Sequence, residues 1–254
     1  MNKASDRQRI HYDAILNEYD RHYFDAESLR YRRRFFYQPL FANQGLDGKR
    51  ILDLACGSGY NSLAILETFP NAEVYGLDIS PEACRNYEHI VNRPAYCVDL
   101  TSISSALPAP ADAALIIGGL HHCVSNLPAT IENLTRLITP GGLLLIVEPN
   151  AEFLFNALRM FWYRHDRYFE AETERPLHYS DLTTLFGSRF EPIDVHYMGG
   201  PGYFLVLNSL MFRLPKMLKR LVSAPLLGFD ALYNRLPGIA PFPYFLARWR
   251  RVML

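Results

Sequence analysis

A regular alternation of apolar and helical stretches runs from Lys49 to Glu148 and constrains the fold more than any other feature. The predicted strands are 50–55, 73–78, 95–98, 113–118 and 143–148, and the predicted helices are 62–68, 81–90 and 127–138. The last two strands are continuous apolar runs, which is expected where helices cover both faces of a parallel sheet. The alternation therefore predicts a doubly wound α/β fold.

The first predicted strand runs into a glycine turn, Gly57-Ser58-Gly59, before a helix begins near Ser62. Glycine has no Cβ and adopts positive φ, and the following helix N-terminus presents free N–H groups. A ligand can therefore approach the backbone closely at this turn. Dinucleotides and S-adenosylmethionine are the two ligand classes that use a strand, a glycine turn and a helix in this way.

Acidic residues at the predicted strand ends help to separate these two classes. The third glycine of the dinucleotide pattern is missing, and a carboxylate at Asp53 would repel a pyrophosphate but favour an ammonium or sulfonium group. Asp78, nineteen residues after Gly59, is placed to accept ribose hydroxyls, which both classes predict. Asp99 either bonds to an adenine amino group or caps a turn.

Five segments together resemble the class I S-adenosylmethionine-dependent methyltransferases that act on small molecules. They are 52–59, 76–80, 99–100, 119–122 and 137–144, and the resemblance covers about residues 45–150. It implies a mostly parallel, Rossmann-like sheet of seven strands with the last strand antiparallel, and S-adenosylmethionine as the methyl donor. The residues it places at the cofactor are Asp53, Ala55, Gly57, Gly59, Asp78, Ile79, Asp99, Leu100 and Gly118.

The resemblance also divides the chain. Residues 1–44 are expected to form lid helices, 45–208 the S-adenosylmethionine-binding core, and 209–254 a basic amphipathic helical extension. Aromatic residues recur in the first part at Tyr12, Tyr19, Tyr23 and Phe24, as in a lid or in ordinary packing. Near the end of the core, 190–198 and 203–207 flank a glycine-rich turn and predict a strand pair at the sheet edge, with a single apolar helix over 203–214 as the alternative.

Three histidines are the candidate catalytic residues. Methyl transfer needs an acceptor held in line with the sulfonium, and a base when the acceptor is a hydroxyl. His121 and His122 follow the fourth strand, at the edge where open α/β sheets bind ligands, and His178 precedes a short helix on the substrate side. The competing interpretations are that His121 and His122 line the cofactor pocket and that His178 is a solvated loop residue. Glu148 is a candidate contact to the acceptor or the lid, and no metal site is predicted.

The charge of the chain is unevenly distributed. The formal net charge is zero, which gives no signature of nucleic-acid binding. From Gly200 onward, however, eight Lys and Arg residues stand against one acid, interleaved with bulky apolar residues. This pattern is typical of a basic amphipathic helix at an anionic membrane surface. Packing on the domain or a homodimer contact is the alternative.

The four cysteines, Cys56, Cys84, Cys97 and Cys123, show no C-x-x-C spacing, which favours reduced thiols in the cytoplasm. The polar N-terminal residues do not resemble a secretory signal. No apolar run approaches the ~18–20 residues that a membrane-spanning helix needs. The expectation is a cytoplasmic protein that at most contacts the inner face of the membrane.

Methyl transfer from S-adenosylmethionine to an oxygen or nitrogen of a small-molecule, lipid-linked or saccharide acceptor is the expected function. A nicotinamide-dependent oxidoreductase is the first alternative, although Asp53 and Ser62 count against it. A module that keeps the nucleoside pocket without turnover and binds a membrane or a partner is the second.

Overall fold

The computed structural model describes residues 3–103, 106–166, 169, 173–209 and 211–253. Within these residues seven strands form one sheet. They are β1 (Arg50–Leu54), β2 (Glu73–Asp78), β3 (Ala95–Cys97), β4 (Ala111–Ile117), β5 (Ile138–Pro149), β6 (Phe190–Met198) and β7 (Tyr244–Arg251). Their order is β3-β2-β1-β4-β5-β7-β6, and β7 runs antiparallel to both of its neighbours. The predicted doubly wound, mostly parallel sheet with an antiparallel last strand is confirmed.

Helices lie before and between the strands. They are α1 (Lys3–Tyr23), α2 (Ala26–Arg32), α3 (Gln38–Phe41), α4 (Tyr60–Thr68), α5 (Pro81–Val91), α6 (Leu127–Leu137), α7 (Asn156–His165), α8 (Tyr179–Phe186) and α9 (Lys216–Tyr233). A π-helical turn, Arg33–Tyr37, joins α2 to α3. Among the described residues, none of the helices combines the length and apolarity needed to cross a membrane.

The sheet separates two apolar cores. Successive side chains of a strand point to opposite faces, so neighbouring residues enter different cores. In β4, Ala114 and Ile116 pack in one core, whereas Ala113 and Leu115 pack in the other. Since both sets are buried, β4 reads in the sequence as a continuous apolar run.

Strand β5 begins earlier than the sequence suggests. The predicted strand starts at residue 143, but β5 already starts at Ile138, so Pro140-Gly141-Gly142 lies inside it. A Cβ at Gly142 would lie 2.7 Å from Cγ2 of Ile138 and 2.8 Å from the backbone oxygen of Asp112. Glycine is therefore used here for close packing within the sheet.

The predicted strand pair at the sheet edge was wrong in its second half. Residues Tyr203–Leu207 form a π-helical turn, so the alternative of a helical segment was nearer to the structure. The backbone N–H groups of Gly200, Gly202 and Tyr203 all donate to the carboxylate of Asp230 in α9. That buried carboxylate satisfies the donors at the start of the turn and stabilises the helical conformation.

The predicted helical extension over 209–254 was wrong at its end, because the chain returns to the sheet as β7. Strand β7 lies between β5 and β6, and most of its side chains are buried. The arginines of this segment were part of the basic surface that the sequence predicts. Arg248, however, donates to Asp194 on the neighbouring strand β6, which neutralises the charge within the sheet. Helix α9, by contrast, falls within the predicted helical part and continues through Pro225.

Candidate functional site

The two glycines of the turn after β1 have different surroundings. Gly57 has φ +51°, and a Cβ placed on it would meet nothing within 4 Å. Gly59 has φ +90°, and its Cβ would lie 2.3 Å from Val91 Cγ2 and 2.7 Å from Tyr87 Cδ2 of α5. Gly57 thus leaves open space for a ligand, whereas Gly59 allows the turn to pack against α5.

Asp53 lies beneath this turn and is fully buried. Its Oδ2 accepts a hydrogen bond of 2.7 Å from Ser62 Oγ, which in turn accepts one from the hydroxyl of Tyr87. Its Oδ1 has no hydrogen-bond partner among the described residues. Burial raises the pKa of Asp53 to about 7, against the hydrogen bonds from Ser62, which lower it. The structure places Asp53 behind the cavity described below, so its direct contact with a cofactor stays a prediction.

Two further carboxylates end the neighbouring strands at the cavity. Asp78 accepts backbone N–H bonds of 2.9 Å from Gly57 and Ser80, so it ties the glycine turn to the end of β2. Asp99 accepts bonds from the backbone N–H of Thr101 and the hydroxyl of Ser102, each 2.9 Å long. Asp99 therefore caps a turn and also lines the cavity. Each carboxylate oxygen has two lone pairs, which leaves capacity for a ligand.

A cavity of about 1120 Å³, open solvent at its mouth included, lies at the carboxyl ends of β1 to β4. Of the predicted site residues, those that line it are Ala55, Gly57, Asp78, Ile79, Asp99, Leu100, Gly118 and His122. Asp53, Gly59, His121 and His178 do not line it. The position agrees with the rule that open α/β sheets bind ligands outside the carboxyl ends of their strands.

Helix α1 covers this cavity and hydrogen-bonds to the loop after each of the first four strands. The four contacts join Asp20 to Ser58, Asp13 to Ser80, Ser5 to Thr101, and Gln8 to His122. A fifth joins the hydroxyl of Tyr12 to Glu174 at 2.9 Å. Tyr12, Tyr19 and Phe24 line the cavity, and Tyr23 packs behind it. The sequence indicated these aromatics as candidates for a lid but did not indicate the polar contacts.

The cavity carries more negative than positive side chains. Its acids are Asp13, Asp20, Asp78 and Asp99, and its bases are Arg9 and Arg32. Burial raises the pKa values of Asp20 and Asp78 above the usual range, although hydrogen bonds from Ser58 and from backbone N–H groups act in the opposite direction. A ligand with positive charge would relieve the cost of burying these carboxylates. The lining therefore fits a cationic ligand better than a pyrophosphate.

Beside the cavity, His121 and Glu148 form a buried pair. Glu148 ends β5 and accepts N–H bonds from Gly119 and Leu120, at 3.0 and 2.6 Å. The Nδ1 atom of His121 lies 2.7 Å from its other oxygen. Burial lowers the pKa of His121, and the neighbouring His122 lowers it further, against the effect of Glu148. His121 is therefore neutral at pH 7 and held in a fixed orientation by a carboxylate.

His122 faces a different set of groups. Its Nδ1 lies 2.6 Å from Nε2 of Gln8 and 3.5 Å from Oε1 of Glu174. Burial lowers the pKa of His122, but the carboxylates around it, Glu174 first among them, act in the opposite direction and the pKa is raised. Burial raises the pKa of Glu174, but its neighbours, His122 first among them, act in the opposite direction and the pKa is lowered. The two adjacent histidines, His121 and His122, thus have pKa values pushed in opposite directions.

Metal coordination is the other chemistry that this group of side chains offers. One donor atom each from His121, His122 and Glu174 lies within 4.8 Å of the other two. Such a group could hold a metal ion, although no metal site was predicted from the sequence. The Nδ1 atoms of His121 and His122 also lie within hydrogen-bonding distance of Glu148 and Gln8, so the same side chains form a hydrogen-bonded network.

The structure does not bring His178 to the other two histidines. It is exposed, immediately before α8, and makes no side-chain bond that caps the helix. This position matches the alternative interpretation of a solvated loop residue.

Sequence reasoning missed several residues of the site, among them Gln8, Asp13, Asp20, Arg32 and Glu174. Four of them lie in α1 and α2, outside the segments that carry the family resemblance. Glu174 follows α7 in a charged stretch with no recognisable pattern, of which residues 167, 168 and 170–172 lie outside the described residues. A signal was present for Asp13 and Asp20, since acids seven residues apart share one face of a helix.

Comparison with protein families and curated proteins agrees with this site. Residues 52–144 match the family model described as "Methyltransferase domain". A malonyl-[acyl-carrier protein] O-methyltransferase of Halorhodospira halophila is 30% identical over 153 residues, which are 55% of this chain and 50% of that protein. The ubiquinone/menaquinone biosynthesis C-methyltransferase UbiE of Syntrophotalea carbinolica is 33% identical over 103 residues, 39% of this chain and 43% of that protein.

A trans-aconitate 2-methyltransferase of Methylobacterium radiotolerans is 29% identical over 112 residues, 44% of this chain and 42% of that protein. The chain thus spans half or less of the length of these curated relatives.

Solved structures share the fold over nearly the whole chain. The mycolic acid cyclopropane synthase CmaA1, complexed with SAH and CTAB, has a TM-score of 0.70 at 15% identity and covers 99% of both chains. The cyclopropane synthase MmaA2 of Mycobacterium tuberculosis has a TM-score of 0.67 at 13% identity, covering 97% of this chain and 98% of that one.

The family match covers the glycine turn, the cavity carboxylates Asp78 and Asp99, and the two histidines after β4. On these grounds, residues 52–144 are similar to the methyltransferase domain of the class I S-adenosylmethionine-dependent methyltransferases.

Proposed function

We propose that this protein transfers a methyl group from S-adenosylmethionine to an oxygen or nitrogen of a small-molecule, lipid-linked or saccharide acceptor. The observation that carries the proposal is the position of the His121–Glu148 pair beside an acid-lined cavity at the carboxyl ends of the strands. The cavity would bind the methyl donor, and the His121–Glu148 pair would take up the proton that the acceptor loses.

The residues of the cavity fit the parts of S-adenosylmethionine. Asp78 would accept the ribose hydroxyls, and Asp99 would accept from the adenine amino group. The open space at Gly57 would admit the methionine portion, and the buried guanidinium of Arg32 would pair with its carboxylate. When bound, S-adenosylmethionine supplies an electrophilic methyl group on a sulfonium.

The protein's own contribution is to orient the acceptor, exclude water and remove a proton. If Nδ1 of His121 donates its hydrogen to Glu148, the lone pair is on Nε2. Nε2 would then accept the proton of an acceptor hydroxyl or amine, and Glu148 would stabilise the imidazolium that forms. Helix α1 and its five contacts to the loops would exclude water from the closed cavity.

For the acceptor, we propose only a chemical class and no single compound. By their names, the curated relatives act on a malonyl group on acyl-carrier protein, on a quinone precursor and on trans-aconitate. These acceptors share no single chemical group, so similarity to them supports a small-molecule acceptor and nothing narrower.

Titration calorimetry with S-adenosylmethionine, S-adenosylhomocysteine and NAD tests the donor. We expect both sulfur nucleosides to bind, NAD not to bind, and Asp78→Ala to abolish binding because it removes the ribose acceptor. Binding of NAD in place of the sulfur nucleosides would select the oxidoreductase. Incubation with methyl-labelled S-adenosylmethionine and candidate acceptors tests turnover, and transfer to any acceptor would exclude the non-catalytic module.

A further inference from the structure

Two surface segments expose large apolar side chains that the proposed methyl transfer does not use. In and just before α7 these are Leu154, Phe155, Leu158 and Phe161. In α9 they include Met217, Leu221 and Leu232, which share one side of the helix. The exposed fraction is 62% at Leu158, 74% at Leu221 and 86% at Met217. We refer to these seven residues as the apolar face.

Contacts at both ends of α7 make the two segments neighbours. At the start of α7, the backbone N–H of Leu154 donates to the oxygen of Ala240, which follows α9, at 2.8 Å. At its end, the Trp162 ring lies 5.5 Å from the ring of Phe212, which precedes α9. The segments that flank α9 therefore adjoin both ends of α7, and exposed apolar patches of this kind mark interaction sites.

The exposed charged residues within the two segments are basic. They are Arg164, Arg213, Lys216, Arg220 and Arg235. The acids of segments 154–166 and 211–240 are Asp166 and Asp230, and both are buried; the exposed acid Glu152 lies just before the first segment. An apolar surface that carries these exposed cations is complementary to a bilayer with anionic headgroups.

We propose that the apolar face docks the protein onto an anionic phospholipid bilayer. Leucine and phenylalanine side chains of α7 and α9 would enter the headgroup region, and the flanking cations would contact lipid phosphates. The sequence indicated only α9 and the residues around it as a membrane contact, whereas the structure adds the exposed apolar residues in and just before α7.

The inner sides of the same helices contact the end of the lid. Nζ of Lys219 in α9 lies 2.9 Å from the backbone oxygen of His22 and 2.7 Å from both Asp25 and Ser28, at the junction of α1 and α2. The ring of Tyr163 in α7 stacks at 4.2 Å on Phe169, which packs against Tyr23. Docking would therefore place α1, which covers the cavity, beside the bilayer.

Docking on a bilayer does not depend on the proposed methyl transfer, but what docking implies for the acceptor does. If the proposed methyl transfer is correct, an acceptor dissolved in the bilayer could reach the cavity where α1 ends. The lipid-linked class of acceptor is then favoured over the saccharide and the other water-soluble classes, and this part of the inference rests on the proposed function.

Flotation of the full chain with vesicles tests docking. We expect binding to mixed phosphatidylcholine and phosphatidylglycerol vesicles, weaker binding at high salt, and little binding to phosphatidylcholine alone. Replacing Lys216 and Arg220 with Gln should lower partitioning roughly 25-fold, since each such cation contributes about 1 kcal/mol, or fivefold. Leu158→Glu combined with Leu221→Glu should lower it at least about tenfold.

Ile193→Glu on β6 is the matched control, because Ile193 is 43% exposed but lies outside the apolar face. It should float like the unchanged protein. Thermal melts and S-adenosylmethionine titration of each variant show whether it is folded. If the unchanged protein does not bind S-adenosylmethionine but floats with anionic vesicles, the proposed function is wrong and the proposed docking is not affected.

Tryptophan fluorescence gives an independent measurement. The chain has two tryptophans, of which Trp249 is fully buried in the sheet and Trp162 lies in α7. Brominated phosphatidylglycerol vesicles should quench Trp162, and the quenching should be lost in Trp162→Phe.

Docking is overturned if the unchanged protein does not float with anionic vesicles, or if the paired Leu158 and Leu221 variant floats equally well. A dimer in sedimentation experiments that the same paired variant dissociates, without vesicle binding, would also overturn it and assign the apolar face to a second copy of the chain.

Discussion

Nδ1 of His121 lies 2.7 Å from Oε2 of Glu148, because His121 follows β4 and Glu148 lies near the end of the neighbouring parallel strand β5. Glu148 is held by backbone N–H groups of the loop that carries His121. The carboxylate thus fixes both the loop and the imidazole. This is the geometry required of a base whose second nitrogen must stay free.

Replacing His121 with Gln should lower the rate of methyl transfer by about 10²–10⁴-fold, the usual contribution of a general base. Affinity for S-adenosylmethionine should stay nearly unchanged, because His121 does not line the cavity. His178→Gln is the matched control and should retain full activity, since His178 is exposed before α8. Equal losses in the two variants would contradict the assignment.

The pH dependence of kcat/KM should report the same group. Burial and His122 lower the pKa of His121 below its ordinary value of 6.5. The active form of a base is neutral, so kcat/KM should rise with pH through this lowered pKa and be level at neutral pH. Glu148→Gln, which removes the carboxylate partner, should lower kcat/KM over the whole range. If kcat/KM instead rose with a midpoint well above pH 7, a group other than His121 would be the base.

Asp20→Asn and Asp13→Asn should weaken S-adenosylmethionine more than S-adenosylhomocysteine. S-adenosylmethionine carries a sulfonium charge that S-adenosylhomocysteine lacks, and each of these half-buried carboxylates is expected to favour that charge by about 1 kcal/mol. Asparagine can still accept the hydrogen bonds from Ser58 and Ser80. Asp6→Asn, on the same helix but not lining the cavity, is the control. Calorimetry with both ligands gives the ratio, and an unchanged ratio would exclude a charge effect.

Asp53 should make the protein less stable as pH rises. Its pKa is raised from 3.8 to about 7 by burial, so the folded state holds a proton that the unfolded state loses. The contribution of Asp53 to the free energy of unfolding is about 4 kcal/mol. It is fully present below about pH 3.8 and is lost as the pH rises through 7. Urea unfolding from pH 4 to 8 should show this slope in the unchanged protein and a flatter one in Asp53→Asn. Parallel slopes would show that Asp53 titrates normally.

Local pattern accounts for the part of the fold that could be predicted. Strand β2 has the predicted bounds, because its apolar run ends in an acid at the sheet edge. Strand β7 could not be predicted, since the charge of Arg248 is neutralised by Asp194, 54 residues earlier in the chain. In the site, too, local motifs identified only some residues. Asp78 and Asp99 lie in the segments that carry the family resemblance, whereas Glu174 reaches the site through its contact with Tyr12, 162 residues away in the chain.

A crystal structure with S-adenosylhomocysteine bound would locate the donor relative to His121. We expect the nucleoside under α1, with its ribose on Asp78, its adenine at Asp99, and its sulfur on the side of the cavity nearest His121. A nucleoside bound elsewhere, or a sulfur directed away from His121 with another side chain facing it, would rule out the proposed roles of these residues.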